Sequence, residues 1–211
     1  MNKKTFYDPE QKRILYLFII IIVSATAATI YTLQFAEHYA HWIGLFWVTL
    51  LSNSFIAIPH EPLYIELGKS ESVIFLLLVS IIPTITGCMM DYLFLKPVVH
   101  LKKLKSIREK KSILTINKWF LKFPGGLIFL FAVSPLPFYL VRIISLMTHY
   151  PFWRYALYSL LGRMPRYCIL ALLGFSLRPP TWALVLLFVL MLFLPVVIKF
   201  AKNIVNASPE N

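Results

Sequence analysis

The chain has 211 residues and a formal net charge of +12; 59% of its residues are hydrophobic and only 14% are charged. This composition excludes an ordinary soluble domain, which carries more charge and shorter apolar runs at this length. The longest polar segment is 96–122, which leaves no room for a soluble domain of appreciable size. We therefore predict a single all-α, polytopic membrane domain over residues 1–211.

The positive charge alone would suggest a nucleic-acid partner, but the basic residues cluster in the loops between apolar runs. The positive-inside rule predicts such clusters, and basic loops also attract anionic lipid headgroups. We therefore expect membrane lipids, and not nucleic acid, as partners. Cys88 and Cys168 lie inside apolar segments and are too few for a disulfide framework or a metal site. No metal or other cofactor is expected.

Six apolar runs follow one another along the chain. The first, 14–33, is long enough to span a bilayer. It contains Ala25-Thr26-Ala27, which resembles a signal-peptidase site, so a cleaved signal peptide is the alternative to a retained helix. The remaining runs are 43–58, 73–95, 123–147, 152–175 and 182–198.

Two of these runs are broken. Run 43–58 is short for a span and ends at Pro59, while run 123–147 is interrupted by two glycines and by Pro135 and Pro137. Helix breaks at hydrocarbon depth are tolerated only where the backbone faces other protein or a cavity. We interpret both broken runs as re-entrant hairpins that enter and leave the membrane on the same side.

The distribution of basic residues supports this interpretation. If all six runs crossed the membrane from an inside N-terminus, ten basic residues would lie outside and eight inside. If both broken runs are re-entrant, sixteen lie inside and two outside, and if only the first is re-entrant the ratio is fourteen to four. The positive-inside rule therefore favours four spanning helices with two opposed hairpins, the layout of an inverted repeat.

A small set of charged residues lies in or beside the apolar runs. A charge at the bilayer centre costs roughly 3 kcal/mol, so such residues pair, face water or reach the interface. Opposed hairpins would bring Glu61 towards Arg142, with Asp91, Arg163 and Arg166 beside them. Simpler alternatives place Glu61 in the interface and pair Asp91 with nearby Lys96. Arg163 and Arg166 share a helix face and repel each other unless a carboxylate or a lipid phosphate lies close by.

Enzymatic motifs are missing from the sequence. The pair His60-Glu61 lacks the second histidine of a zinc helix, and no nucleophile elbow or glycine-rich phosphate loop is present. Ser134 and His149 could be imagined as a nucleophile and a base, but nothing in the pattern brings them together. We do not expect an enzyme.

Four stretches carry a family resemblance: Phe55 to Glu61, Gly87 to Tyr92, Ser134 to Arg142 and Gly162 to Arg166. Together they are similar to the DedA superfamily, whose shared module is called the VTT or SNARE-associated domain. The resemblance covers roughly residues 43–175 as a core. It implies two opposed re-entrant hairpins and a transporter-like design that moves lipids between leaflets.

The resemblance also implies roles for single residues. Glu61 matches the acidic residue of the first hairpin, and Asp91 matches the helix that follows it. Pro135 and Pro137 match the break of the second hairpin, and Arg142 matches its arginine. Val133-Ser134 and Met147-Thr148 depart from the family pattern, which indicates a divergent member and leaves the transported lipid open.

The resulting hypothesis is a transporter or scramblase for an anionic lipid, such as a polyprenyl phosphate or a phospholipid. Arg142, Arg163 and Arg166 would hold the phosphate, while Glu61 and Asp91 would take up protons or balance the charge. The alternative is a scaffold or assembly factor that binds anionic lipid or protein through the basic loop 96–122. For both hypotheses we expect the protein in the inner membrane with both termini cytoplasmic. Whether it forms a homo-oligomer is left open.

Overall fold

The computed structural model describes residues 9–54, 58–99, 118–134 and 138–193. All regular secondary structure in these four ranges is helical. Apart from a 3-10 turn at Glu37–Tyr39 and a helical segment at 118–122, the helices in chain order are α1 Pro9–Phe35, α2 Ala40–Asn53, α3 Glu61–Leu67, α4 Val73–Met90, α5 Lys96–Val99, α6 Pro124–Val133, α7 Tyr139–Met147, α8 Phe152–Leu177 and α9 Thr181–Phe193.

Three of the described helices are long and apolar enough to cross a membrane: Pro9–Phe35, Val73–Val98 and Phe152–Leu177. The all-helical membrane class predicted from composition is thereby confirmed. The first apolar run forms one uninterrupted helix of 27 residues. At about 1.5 Å per residue its length exceeds the roughly 30 Å of a hydrocarbon core. Of the last predicted run, 182–198, the structure describes the part up to Phe193.

The first broken run forms the first helix of a pair of short helices, and the second broken run contains both helices of such a pair. The first pair is α2 and α3, interrupted between Asn53 and Glu61, and the second is α6 and α7, interrupted between Val133 and Tyr139. Pro59 lies in the first interruption, two residues before α3 begins. Pro135 and Pro137 lie outside the described residues, as does most of the basic loop 96–122.

The helix that begins at Val73 changes its winding near its end. After Met90 it passes through a π-helical turn, Asp91–Leu95, before it continues as α5. A π-turn inserts one residue into the hydrogen-bond pattern and is frequent at functional sites. Asp91 is the first residue of this turn and is fully buried.

Helix α8 lies at the centre of the bundle and packs against α3, α4 and α6, while α2 packs against α4. Its contact with α3 is close, because a side chain at Gly174 would run into the backbone carbonyl of Ile65. Small residues permit such close approach between membrane helices, where packing drives association. Arg178 then ends α8 in the left-handed conformation, with a φ of 43°.

Helix α1 lies at the edge of the bundle and presents an apolar surface to its surroundings. Ile20 and Ile30 are more than half exposed, as many apolar residues on its outer face are. One polar contact joins α1 to α2, where Trp47 Nε1 donates to Thr29 Oγ1 at 3.0 Å. The exposed apolar face is that expected of a helix in contact with lipid chains.

Candidate functional site

A cavity of about 430 Å³ lies where the two interrupted helix pairs meet. Its volume is within the roughly 300–1,000 Å³ typical of small-molecule sites. Both interruptions contribute to its wall, and α8 and α9 complete it. The lining residues are Ser52, Asn53, Ser54, Ile58, Pro59, His60, Glu61, Phe131, Ala132, Phe138, Tyr139, Arg142, Arg163, Arg166, Tyr167 and Met191.

Arg142 of α7 crosses the cavity and binds the end of α2. Its two terminal nitrogens donate to the carbonyl oxygens of Ser54 at 2.7 Å and Asn53 at 3.1 Å. The last carbonyls of a helix lack helical partners and carry the negative end of the helix dipole, so a cation is stabilised there. Its remaining nitrogen, Nε, lies 2.9 Å from Asp91 Oδ2. The two terminal nitrogens of Arg142 are therefore hydrogen-bonded to the backbone, while Nε is in ion-pair contact with Asp91 without forming a hydrogen bond.

Asp91 is held from two sides. Its Oδ2 also accepts a hydrogen bond from the Tyr155 hydroxyl of α8 at 3.1 Å. The second oxygen, Oδ1, is buried and has no hydrogen-bond partner among the described residues. Asp91, Arg142 and Tyr155 thus join the π-turn, α7 and α8 through one buried carboxylate.

A second ion pair joins α3 to α8. Arg166 pairs with Glu61 Oε1 at the start of α3. Glu61 Oε2 is buried and, like Asp91 Oδ1, lacks a hydrogen-bond partner in the described part of the chain.

Arg163 has no carboxylate partner within the described ranges. Its guanidinium carbon lies 4.6 Å from the centre of the Phe138 ring, and its Nη1 lies 4.0 Å from Cys88 Sγ. Arg142 approaches the same ring at 5.6 Å. A cation over an aromatic face is weakly stabilised, by about 0.5–2 kcal/mol, and keeps its full charge. Two carboxylates facing three guanidinium groups leave the site with one excess positive charge.

Asn53 anchors the wall opposite these arginines. Its amide nitrogen donates to Thr84 Oγ1 at 3.0 Å and to the Tyr167 hydroxyl at 2.7 Å. The Tyr167 ring stacks on Tyr64 with 4.4 Å between the ring centres. The amide and the two rings fix the end of α2 against α4 and α8, which places the carbonyls that Arg142 binds.

His60 contributes one more buried polar atom to the wall. Its Nδ1 contacts Ser52 Oγ, and its ring packs edge-on against Tyr64 and Tyr167. Its Nε2 is buried and has no partner in the described part of the chain. Buried polar atoms without partners call for an explanation, and a ligand in the cavity would supply one.

The structure brings the sequence-predicted residues together, but in other pairs than the sequence reasoning expected. Glu61 lies beside Arg166 and not Arg142, and Asp91 pairs with Arg142. Arg163 lines the same cavity.

Sequence reasoning missed Asn53, His60, Phe138, Tyr155 and Tyr167. The run Ser52-Asn53-Ser54 inside an apolar stretch was the signal that could have indicated the first of these, because polar residues at membrane depth are costly.

A family model described as the VTT domain matches residues 58–176. The matched range begins at the approach to α3 and ends in the last turn of α8, so it contains both ion pairs. No curated protein sequence and no solved structure matches the chain.

Proposed function

Because the chain belongs to the VTT-domain family, the DedA family of transporter-like membrane proteins, we propose that it moves an anionic lipid between the leaflets of its membrane. The class includes polyprenyl phosphates and phospholipids. The proposal includes a location in the inner membrane, with both termini cytoplasmic. It also includes four spanning helices and two opposed re-entrant hairpins whose breaks meet around the central cavity.

The observation that carries this proposal is the buried guanidinium of Arg163, which lines the central cavity and has no ion-pair partner among the described residues. Arg142 and Arg166 each face a carboxylate, whereas Arg163 faces an aromatic ring. An unpaired charge at membrane depth costs roughly 3 kcal/mol or more, so the apo site favours an anion. A phosphate suits this place, since a guanidinium binds it through two parallel hydrogen bonds.

The roles of the other charged residues follow from their contacts. Arg142 is committed to Asp91 and to the end of α2, so it positions the first hairpin and adds positive potential. Arg166 is the second phosphate ligand. When Glu61 is protonated, Arg166 releases it and binds the phosphate instead. This exchange links lipid binding to proton uptake, with Glu61 as the proton acceptor and Asp91 as the residue that balances the charge.

Reconstituted vesicles provide the test of the transport proposal. Arg163→Gln should reduce transfer of a labelled phosphatidic acid at least tenfold. The matched control is Arg154→Gln, which removes an exposed arginine from the same helix and should leave transfer unchanged. Equal transfer by the two variants would refute the proposed role of Arg163. If wild-type protein transfers no anionic lipid, a scaffold function of the basic loop becomes the better hypothesis.

The proposed topology has its own test. Ser70 and His149 are both exposed and lie on opposite sides of the membrane in the two-hairpin arrangement. Cysteines at these positions, with Cys88 and Cys168 replaced by serine, should be modified by an impermeant reagent from opposite sides. Modification of both from one side would rule out the arrangement.

A further inference from the structure

A second, apolar groove lies beside the central cavity, between α3 and α9. It has a volume of about 270 Å³, and apolar side chains from α2, α3 and α9 form most of its wall. Pro59 lines both the groove and the central cavity. The two spaces are therefore neighbours across a single residue, one of them positively charged and the other apolar.

The walls of this groove are two stripes of residues, one on the α3 side and one on α9. From the α3 side come Pro59, Pro62, Leu63 and Glu66, which recur at the spacing of a single helix face. The stripe begins at the central cavity with Pro59 and ends at Glu66. At this end Thr181 of α9 donates to Glu66 Oε1 at 3.1 Å, and Lys69 pairs with the same carboxylate.

The stripe on α9 likewise connects the Glu66 end of the groove with the central cavity. Thr181, Leu184, Val185 and Phe188 line the groove, and Met191, one turn further along, lines the central cavity. The ten helical steps from residue 181 to residue 191 extend about 15 Å. This is half of the roughly 30 Å hydrocarbon core, or the depth of one leaflet.

We propose that this groove receives a hydrocarbon chain of the lipid whose phosphate lies in the central cavity. The inference rests on the proposed function and names the path of the lipid's apolar part. A lipid that brings its phosphate to Arg163 must place its chain beside the cavity, and Pro59 and Met191 lead from there into an apolar space. The groove is open along one side, so the rest of the chain remains in the surrounding lipid.

The proposed occupant is a hydrocarbon chain whose headgroup is bound in the central cavity, and not a chain of bulk lipid. Photolabelling can distinguish these two occupants. Two lipids with the same photoreactive chain are compared on wild-type protein in vesicles: phosphatidic acid, and diacylglycerol, which lacks the phosphate. Peptides containing Leu63 and Val185 should be labelled several-fold more strongly by the phosphatidic acid. The outer face of α1, around Ile20, should be labelled equally by both lipids and serves as the reference for bulk lipid.

Substitutions distinguish a lipid chain whose phosphate lies at Arg163 from a general preference of the protein for acidic lipid. Arg163→Gln should abolish the excess labelling of the groove and leave the α1 labelling unchanged. Val185→Trp fills the groove and should lower both groove labelling and lipid transfer at least fivefold. Leu186→Trp adds the same ring on the opposite face of α9 and should change neither.

Equal labelling of the groove by the two lipids, or transfer by Val185→Trp at the level of Leu186→Trp, would overturn the inference. The latter result, with wild-type transfer intact, would leave the proposed function standing. Excess labelling of the groove without any transfer by wild-type protein would instead refute transport while supporting the chain site.

Discussion

Arg142 and Asp91 form a buried ion pair that connects α7 to the π-turn at the end of α4, with 2.9 Å between Nε and Oδ2. Neither residue is near the other in the sequence, and Asp91 is completely shielded from solvent. Because Arg142 also binds the carbonyls at the end of α2, this pair fixes both interrupted helix pairs to the core of the bundle.

The first prediction concerns the stability that this pair provides. Asp91→Asn and Arg142→Gln should each lower the free energy of unfolding by about 3–5 kcal/mol, because each leaves the partner's charge buried and unpaired. The double variant should lose much less than the sum of the two. Unfolding of the purified protein in detergent measures all three values, and strictly additive losses would show that the two residues do not interact.

This pairing also marks the limit of what the sequence could predict. The membrane class, the long helices and the positions of both interruptions followed from apolar run lengths and from prolines, which are local properties. The choice of partners did not, because Glu61 and Asp91 are both acidic and local sequence does not say which arginine each one meets. The contacts that decide it come from distant residues: Tyr155 orients Asp91, and Asn53 fixes the end of α2 that Arg142 binds.

The second prediction concerns Asn53, whose side chain joins α2 to Thr84 of α4 and Tyr167 of α8. Asn53→Ala should lower the free energy of unfolding by about 1–3 kcal/mol, since it leaves buried polar partners unsatisfied. Ser24→Ala is a suitable control, because that exposed hydroxyl bonds only its own helix, at the carbonyl of Ile21. Thermal unfolding in detergent should show a loss for the first variant and almost none for the second.

The third prediction concerns proton coupling at Glu61. Glu61→Gln keeps the size of the side chain but cannot exchange a proton, so lipid transfer should no longer respond to an imposed pH gradient. Glu71→Gln is the control, because Glu71 lies away from the cavity beside His41 and should retain the response. Transfer into vesicles is measured with and without the gradient. A gradient response that persists in Glu61→Gln would remove this carboxylate from the coupling mechanism.

The last prediction concerns Gly162, which lies next to Arg163 on α8 and sets the distance between α8 and α6. A Cβ atom at this position would lie 2.5 Å from Ala132 Cβ and 2.7 Å from the Phe129 carbonyl oxygen. Gly162→Ala therefore forces the two helices apart, which displaces Arg163 from the Phe138 ring and widens the cavity. We expect lower thermal stability and at least fivefold lower lipid transfer.

Gly44 of α2 provides the matched control for this substitution. An added Cβ there has no atom within 4 Å, so Gly44→Ala introduces no collision. Alanine favours helix over glycine by about 1 kcal/mol, and this variant should be as stable as wild type or more stable. If Gly162→Ala behaved like Gly44→Ala in both stability and transfer, close contact between α6 and α8 would not be what positions Arg163. Stability lost without loss of transfer would restrict Gly162 to a packing role.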